Sequence, residues 1–270
     1  RQERRMPEHL ENDPYEMPFL DALEKVRWRL FKSIAALFVG TLIGFFFVHY
    51  MGVTSILVRP IRPFLEHQDG LLSAFSPLTP FMLELKLSII VGIILAFPVA
   101  VYQAWSHLSP VLRDHERRVI LPALYVGVLL FAMGVGLGYL VLPVSLGWLF
   151  GFQQDYVNLV IGADDYLSFV VRLLLAFGLM FEMPVVVMIL TTLGLVTPNF
   201  LSEKRRHAIV GITVLASLVT PGDLASTFLM MAPMIVLYEL SIFLSRGIYR
   251  REKARVDAER NELAGAGEAR

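Results

Sequence analysis

The residue types with the most chemistry to offer stand in one charged stretch, Ser109-Pro110-Val111-Leu112-Arg113-Asp114-His115-Glu116-Arg117-Arg118. It lies between two long apolar segments, 85–108 and 119–142. Glu116 sits there among three arginines and a histidine, so a carboxylate is held at the end of two apolar helices. Pairing with Arg113 or Arg117 in its own loop is one use for it; recognition of something from outside is the other. A second carboxylate, Glu182, falls midway along a later apolar run, in Phe181-Glu182-Met183-Pro184. A charged carboxylate at the centre of a bilayer costs about 2.5–3.5 kcal/mol on insertion scales. It must therefore be neutral, paired or facing water. Two readings stand: a protonated acid bonded to backbone freed by Pro184, or a polar contact on a concave, partly hydrated face. A third polar group, Thr220, Asp223, Ser226 and Thr227, gathers where two apolar runs meet. It reads either as turn capping or as a docking point for a partner's transmembrane helix, held by interhelical hydrogen bonds.

Other chemistry is missing from the pattern. The six histidines show no metal-binding spacing, and there is no cysteine. No HExxH, GxSxG or phosphate-loop pattern occurs. The reading is of a protein that is not an enzyme and carries no cofactor or metal.

The elements that must position these residues are membrane helices. The chain has 270 residues, 56 % of them hydrophobic, and a mean hydropathy of +0.61. Several runs of about 20 apolar residues indicate helical spans, and the ten-residue alternating strands of a barrel are absent. Residues 1–17 are polar, with Pro7 and Pro14, and read as a flexible tail; Arg4-Arg5 reads as solvated and no apolar signal segment follows. From Pro18 an amphipathic interfacial helix is expected to run into a first span, 31–50. Residues 51–84 are expected to be a connection, broken at Pro60, Pro63, Pro77 and Pro80. Span two is expected over 85–107, kinked at Pro98, and span three over 119–142, with Gly127, Gly134, Gly136 and Gly138 offering close packing. A second connection, 143–165, is acidic and aromatic. Span four, 166–195, is kinked at Pro184; Arg172 lies near its outer interface. Span five, 208–219, is short, and span six is 224–244, with Glu239 and Arg246 interfacial.

Charge placement gives the topology. Basic residues collect near the N-terminus, in the turns after spans two and four and in the C-terminal tail, whereas Arg59 and Arg62 stand on the opposite side. The positive-inside rule then puts both termini in the cytoplasm and requires an even number of spans, six. The expected organisation is a tail over 1–17, a six-span membrane domain over 18–246 and a charged tail over 247–270.

Several short motifs, in order, resemble the TatC family, the multi-span receptor subunit of the twin-arginine protein translocase. They are Pro18-Phe19-Leu20-Asp21-Ala22-Leu23-Glu24 leading into Arg27-Trp28-Arg29-Leu30; Pro98-Val99 through Tyr102-Gln103-Ala104-Trp105; His115-Glu116-Arg117-Arg118; Tyr166-Leu167-Ser168-Phe169; Phe177-Gly178 with Phe181-Glu182-Met183-Pro184; and Thr220-Pro221-Gly222-Asp223. The resemblance covers about residues 18–246. It implies a six-helix, glove-like, all-α fold in the bacterial inner membrane. It implies that Glu116, with His115 and Arg117 beside it, meets the arginine pair of a cargo protein's signal peptide. A guanidinium and a carboxylate form a bidentate, charge-assisted pair there, for which lysine is no substitute. The family's second carboxylate position falls on Lys25, so Glu24, one residue earlier, is the candidate for that role. By resemblance Glu182 lines the signal peptide's path, and Thr220, Asp223, Ser226 and Thr227 receive single-span partners of the TatA and TatB type. Export would be driven by the proton-motive force, in a self-associating receptor complex with no nucleic acid involved. The competing reading is a proton-coupled small-solute transporter titrating at Glu182.

Overall fold

The computed structural model describes residues 17–65, 71–108, 114–151, 160–220 and 224–268. Within them, side chains at 17–23, 25, 26, 29, 107, 108, 114–116, 119, 225, 226, 252 and 256–268 lie outside the description. The elements are α1 (Met17–Tyr50), α2 (Val53–Val58), a 3-10 turn (Arg59–Phe64), α3 (Thr79–Leu108), α4 (Asp114–Phe150), α5 (Ala163–Phe181), α6 (Met183–Thr192), α7 (Pro198–Glu203), α8 (Arg205–Val219) and α9 (Leu224–Glu268). Among the described residues, five helical stretches are long and apolar enough to cross a membrane: Leu30–Tyr50, Thr79–Ser106, Ile120–Phe150, Ala163–Thr192 and Thr227–Arg255. Helices are what lipid demands, since they satisfy their own backbone hydrogen bonds. The fifteen residues of α8 rise only about 22 Å, short of the ~30 Å hydrocarbon layer.

The expected interfacial helix and first span form one continuous helix, α1. It packs antiparallel on α3 at very close range. A methyl group added at Gly44 would lie 2.4 Å from the Ser88 carbonyl oxygen. One added at Gly92 would lie 2.6 Å from the Thr41 backbone nitrogen. Two polar contacts close the ends of this pair: Ser33 Oγ donates to Gln103 Oε1 at 2.5 Å, and His49 Nδ1 lies 2.6 Å from Glu84 Oε1.

The connection expected over 51–84 is largely structured. Gly52 adopts φ +69°, a left-handed conformation that glycine takes without strain, and the chain turns there into α2. Pro60 and Pro63 fit the 3-10 turn that follows, and Ile61 and Leu65 are almost wholly buried. Tyr166 and Tyr139 donate their hydroxyls to the Leu57 and Ile56 carbonyls. The segment is therefore a packed cap; its prolines shape it instead of breaking it. Helix α3 also starts six residues earlier than expected, at Thr79, because Pro80 suits a first helical turn. Pro98 sits inside α3 without ending it.

A second correction concerns 143–165. Helix α4 continues through Pro143 to Phe150, so the first third of that expected connection is helix. Leu142 and Leu146 are buried on either side of the proline, and Phe150 stacks on Phe64 with centroids 4.8 Å apart. Tertiary packing there outweighs one lost backbone bond. Asp164 and Asp165 belong to the first turn of α5, where carboxylates meet the positive end of the helix dipole.

The glycines of α4 do serve close packing, with one exception. Gly134 and Gly138 lie under Phe177 and Phe181 of α5, while Gly136 faces open space. The kink expected at Pro184 falls where α5 passes into α6 at Glu182: the backbone there stays right-handed (φ −74°, ψ −16°), and Pro184 lies in the first turn of α6. Beyond it, α6 packs on α9 through buried hydroxyls. Thr191 Oγ1 donates to the Val187 carbonyl, so it accepts from Ser245 Oγ at 2.8 Å. Helix α9 runs on as helix from the apolar span through the charged residues to Glu268, crossing the expected boundary at 246.

Candidate functional site

The antiparallel register of α1 on α3 fixes where the charged residues stand. Gln103 is five residues from the end of α3, opposite Ser33. Glu24 is nine residues before Ser33, about 13.5 Å along α1. The exposed Glu24 therefore projects roughly one helical turn past the end of α3. The same end carries the first turn of α4, which begins at Asp114. Glu116 is its third residue, a position where backbone N–H groups and the helix dipole favour a negative charge. The side chains of Glu116 and His115 lie outside the description. Arg117 is exposed, and its guanidinium sits 5.9 Å from the centre of the Trp105 ring. Trp105 itself is buried in α3, so a cation–π contact ties the start of α4 to the end of α3. The result is a platform of three helix ends with Glu24, Glu116 and Arg117 on it.

Glu182 stands apart, at the break between α5 and α6. Its Oε1 is buried and has no hydrogen-bond partner among the described residues. Its Oε2 lies against α4, where a methyl group added at Gly127 would come within 2.8 Å of it. Gly127 thus makes room for the carboxyl. Arg172 is no partner for it: the Arg172 Nε donates instead to the Ser168 carbonyl at 3.1 Å.

Of the third group, Thr220 and Thr227 come together. Thr220 Oγ1 donates to the Ala216 carbonyl and accepts from Thr227 Oγ1 at 2.9 Å, and both residues are buried. Asp223 and the Ser226 side chain lie outside the described residues. On α8, by contrast, Val210, Val214 and Leu218 are exposed along one apolar face.

Several polar contacts escaped the sequence reading. Glu239 meets Arg205 across α8 and α9, with Nη2 donating to Oε2 at 3.0 Å and Nε lying 2.8 Å from Oε1. Lys86 Nζ reaches Asp164 Oδ1 at 2.6 Å and Ser168 Oγ at 2.8 Å. The spacing Gly40-x-x-x-Gly44 opposite Ser88-x-x-x-Gly92 was the available signal. It sets the α1–α3 register, and with it the His49–Glu84 and Ser33–Gln103 contacts.

This arrangement has known counterparts. The family model for TatC, Sec-independent protein translocase protein, matches residues 21–233. The chain is 38 % identical over 240 residues to the Sec-independent protein translocase protein TatC of Aquifex aeolicus, covering 88 % of this chain and 98 % of that one. To the TatC of Escherichia coli K12 it is 34 % identical over 232 residues, covering 85 % and 88 %. A crystal structure of the twin arginine translocase receptor TatC superposes with a TM-score of 0.73 at 38 % identity, covering 84 % of this chain and 98 % of that one. Sequence match and superposition both span most of the membrane helices, and the chain belongs to the TatC family of Sec-independent protein translocase components.

Proposed function

We propose that this chain is the signal-peptide receptor and assembly platform of its translocase. The observation that carries this is the convergence of the α1 N-terminal half, the end of α3 and the first turn of α4 at one pole. That pole is rich in basic residues, so by the positive-inside rule it faces the cytoplasm, with both chain termini. In this topology α8 is the fifth and shortest of six spans, and either the bilayer thins beside it or it stops short of the far interface. Glu116 takes a guanidinium of the incoming arginine pair, Glu24 the other, and Arg117 with His115 borders the site. Each charge-assisted hydrogen bond contributes about 1.5–3 kcal/mol. The single-span partners dock along the apolar face of α8, next to the Thr220–Thr227 pair with Asp223 and Ser226. Glu182 offers a polar contact along the peptide's membrane path. The transporter alternative has less support, since the buried Glu182 Oε1 has no hydrogen-bond partner among the described residues through which a proton could be relayed.

The test is photo-crosslinking of a twin-arginine signal peptide and its twin-lysine variant to the intact chain and to Glu116→Ala. The intact chain should prefer arginine by at least about tenfold, which one lost charge-assisted bond would account for. Glu116→Ala should abolish that preference. Equal labelling by both peptides of the intact chain would sink the reading.

A further inference from the structure

On the pole opposite the platform, three residues of α5 stand one helical turn apart on a single face: Asp164, Ser168 and Arg172. Lys86 of α3 joins them, bonded to Asp164 and to the Ser168 hydroxyl. Asp164 balances Lys86. Arg172 has no acidic partner among the described residues and is exposed. One of its five N–H donors goes to the Ser168 carbonyl; the other four have no hydrogen-bond partner among the described residues.

The depth of this group decides what can meet it. The membrane stretch Ala163–Thr192 has 30 residues and rises about 45 Å, so roughly 7 Å extends past the hydrocarbon at each end. Arg172 is nine residues in, about 13.5 Å, and its Cα therefore lies roughly 6 Å below the hydrocarbon surface. The same reckoning for Thr79–Ser106 puts the Lys86 Cα roughly 4–5 Å below it. The Nε bond to the carbonyl four residues earlier shows that the Arg172 side chain runs back toward the start of α5. That direction lifts its head to the polar boundary, as long cationic side chains do near helix ends. A guanidinium at that level stands among lipid phosphates, and its planar fork matches two phosphate oxygens.

We propose that Arg172, with Lys86 beside it, is a binding site for the phosphodiester headgroup of an anionic phospholipid in the leaflet opposite the signal-peptide platform. Asp164 holds Lys86 in place and moderates the charge, which keeps the site selective without making it a tight anion trap. The inference needs only that the chain spans a bilayer, and stands whether or not Glu116 reads signal peptides.

The test uses the full chain in nanodiscs, with arginine modification by phenylglyoxal mapped by mass spectrometry. Phosphatidylglycerol in the disc should slow modification of Arg172 about fivefold relative to pure phosphatidylcholine, the effect of one cation at an anionic surface. Native mass spectrometry should show phosphatidylglycerol retention falling by a similar factor in Arg172→Gln and rising in Asp164→Asn, which frees Lys86. Equal modification in both lipids, or equal retention by Arg172→Gln and the unchanged chain, would overturn the proposal. So would protection by inorganic phosphate alone in phosphatidylcholine discs, which would mark a free-anion site. Protection that arises only when a single-span partner subunit is added would equally overturn it, since the guanidinium would then answer a protein.

Discussion

The α1–α3 pair and the α6–α9 pair are both helix contacts within the membrane, yet they are held by different means. Helix α1 meets α3 backbone to backbone, with Gly40 and Gly44 against Ser88 and Gly92 and no room for a side chain between them. Helix α6 meets α9 through side chains: Thr191 and Ser245, both buried, bond across the contact. The difference follows from position. Only 17 % of the α1 stretch is buried, against 44 % of the α5–α6 and α9 stretches. A peripheral helix with one neighbour lacks area, so it gains contact by closeness; a central helix surrounded by partners can use bulk. Lipid offers no hydrophobic drive for either, which leaves dispersion and hydrogen bonds to decide.

The comparison breaks most visibly at Gly44. Gly44→Ile must push the two helix backbones apart, because the nearest obstacle is a carbonyl and no rotamer relieves it. Overpacking typically costs about 1–3 kcal/mol, and a backbone obstacle puts this case at the upper end. Thermal unfolding in detergent should show the loss. Disulfide trapping between cysteines placed at 33 and 103 should slow in parallel, since that contact depends on the same register. A neutral result would mean that α1 is held by something other than its glycines.

A smaller effect is expected in the α6–α9 pair. Ser245→Ala removes one buried hydrogen bond, but Thr191 keeps its bond to the Val187 carbonyl and no donor is orphaned. Single interhelical bonds in membranes average about 0.6 kcal/mol, with a maximum near 1.7. Unfolding equilibria of the two variants should therefore differ several-fold in cost. If Ser245→Ala proved as damaging as Gly44→Ile, the distinction between closeness and bulk would fall.

The same contrast explains what could be read from sequence. Helical class, the number of long apolar stretches and the kink at Pro184 were legible, because hydropathy and proline act locally. The cap over 53–64 was not: its proline-rich pattern looks like a loop, and only the burial of Ile61 and Leu65 and the tyrosine bonds from α4 and α5 make it a packed element. The continuation of α4 past Pro143 was hidden for the same reason. At the platform, the resemblance to the family pointed to Glu116 and Glu24, but the level of Glu24 past the end of α3 comes from the α1–α3 register. The grouping of Lys86, Asp164 and Arg172 was passed over because it depends on two helices that are far apart in sequence.

The finest test lies within α4 itself. Gly134, Gly136 and Gly138 look alike in sequence, and all three were candidates for close packing. A methyl group added at Gly134 would lie 2.6 Å from the Phe177 carbonyl oxygen, whereas one added at Gly136 meets nothing within 4 Å. Gly136→Ala should thus be neutral or gain up to about 1 kcal/mol from helix propensity. Gly134→Ala must displace α5 and should destabilise. Measured side by side, the pair separates glycines that bring helices together from glycines that merely occupy a helix. A loss at Gly136 equal to that at Gly134 would place a partner helix on the open face of α4, and that face would then belong with α1 as a surface held by closeness.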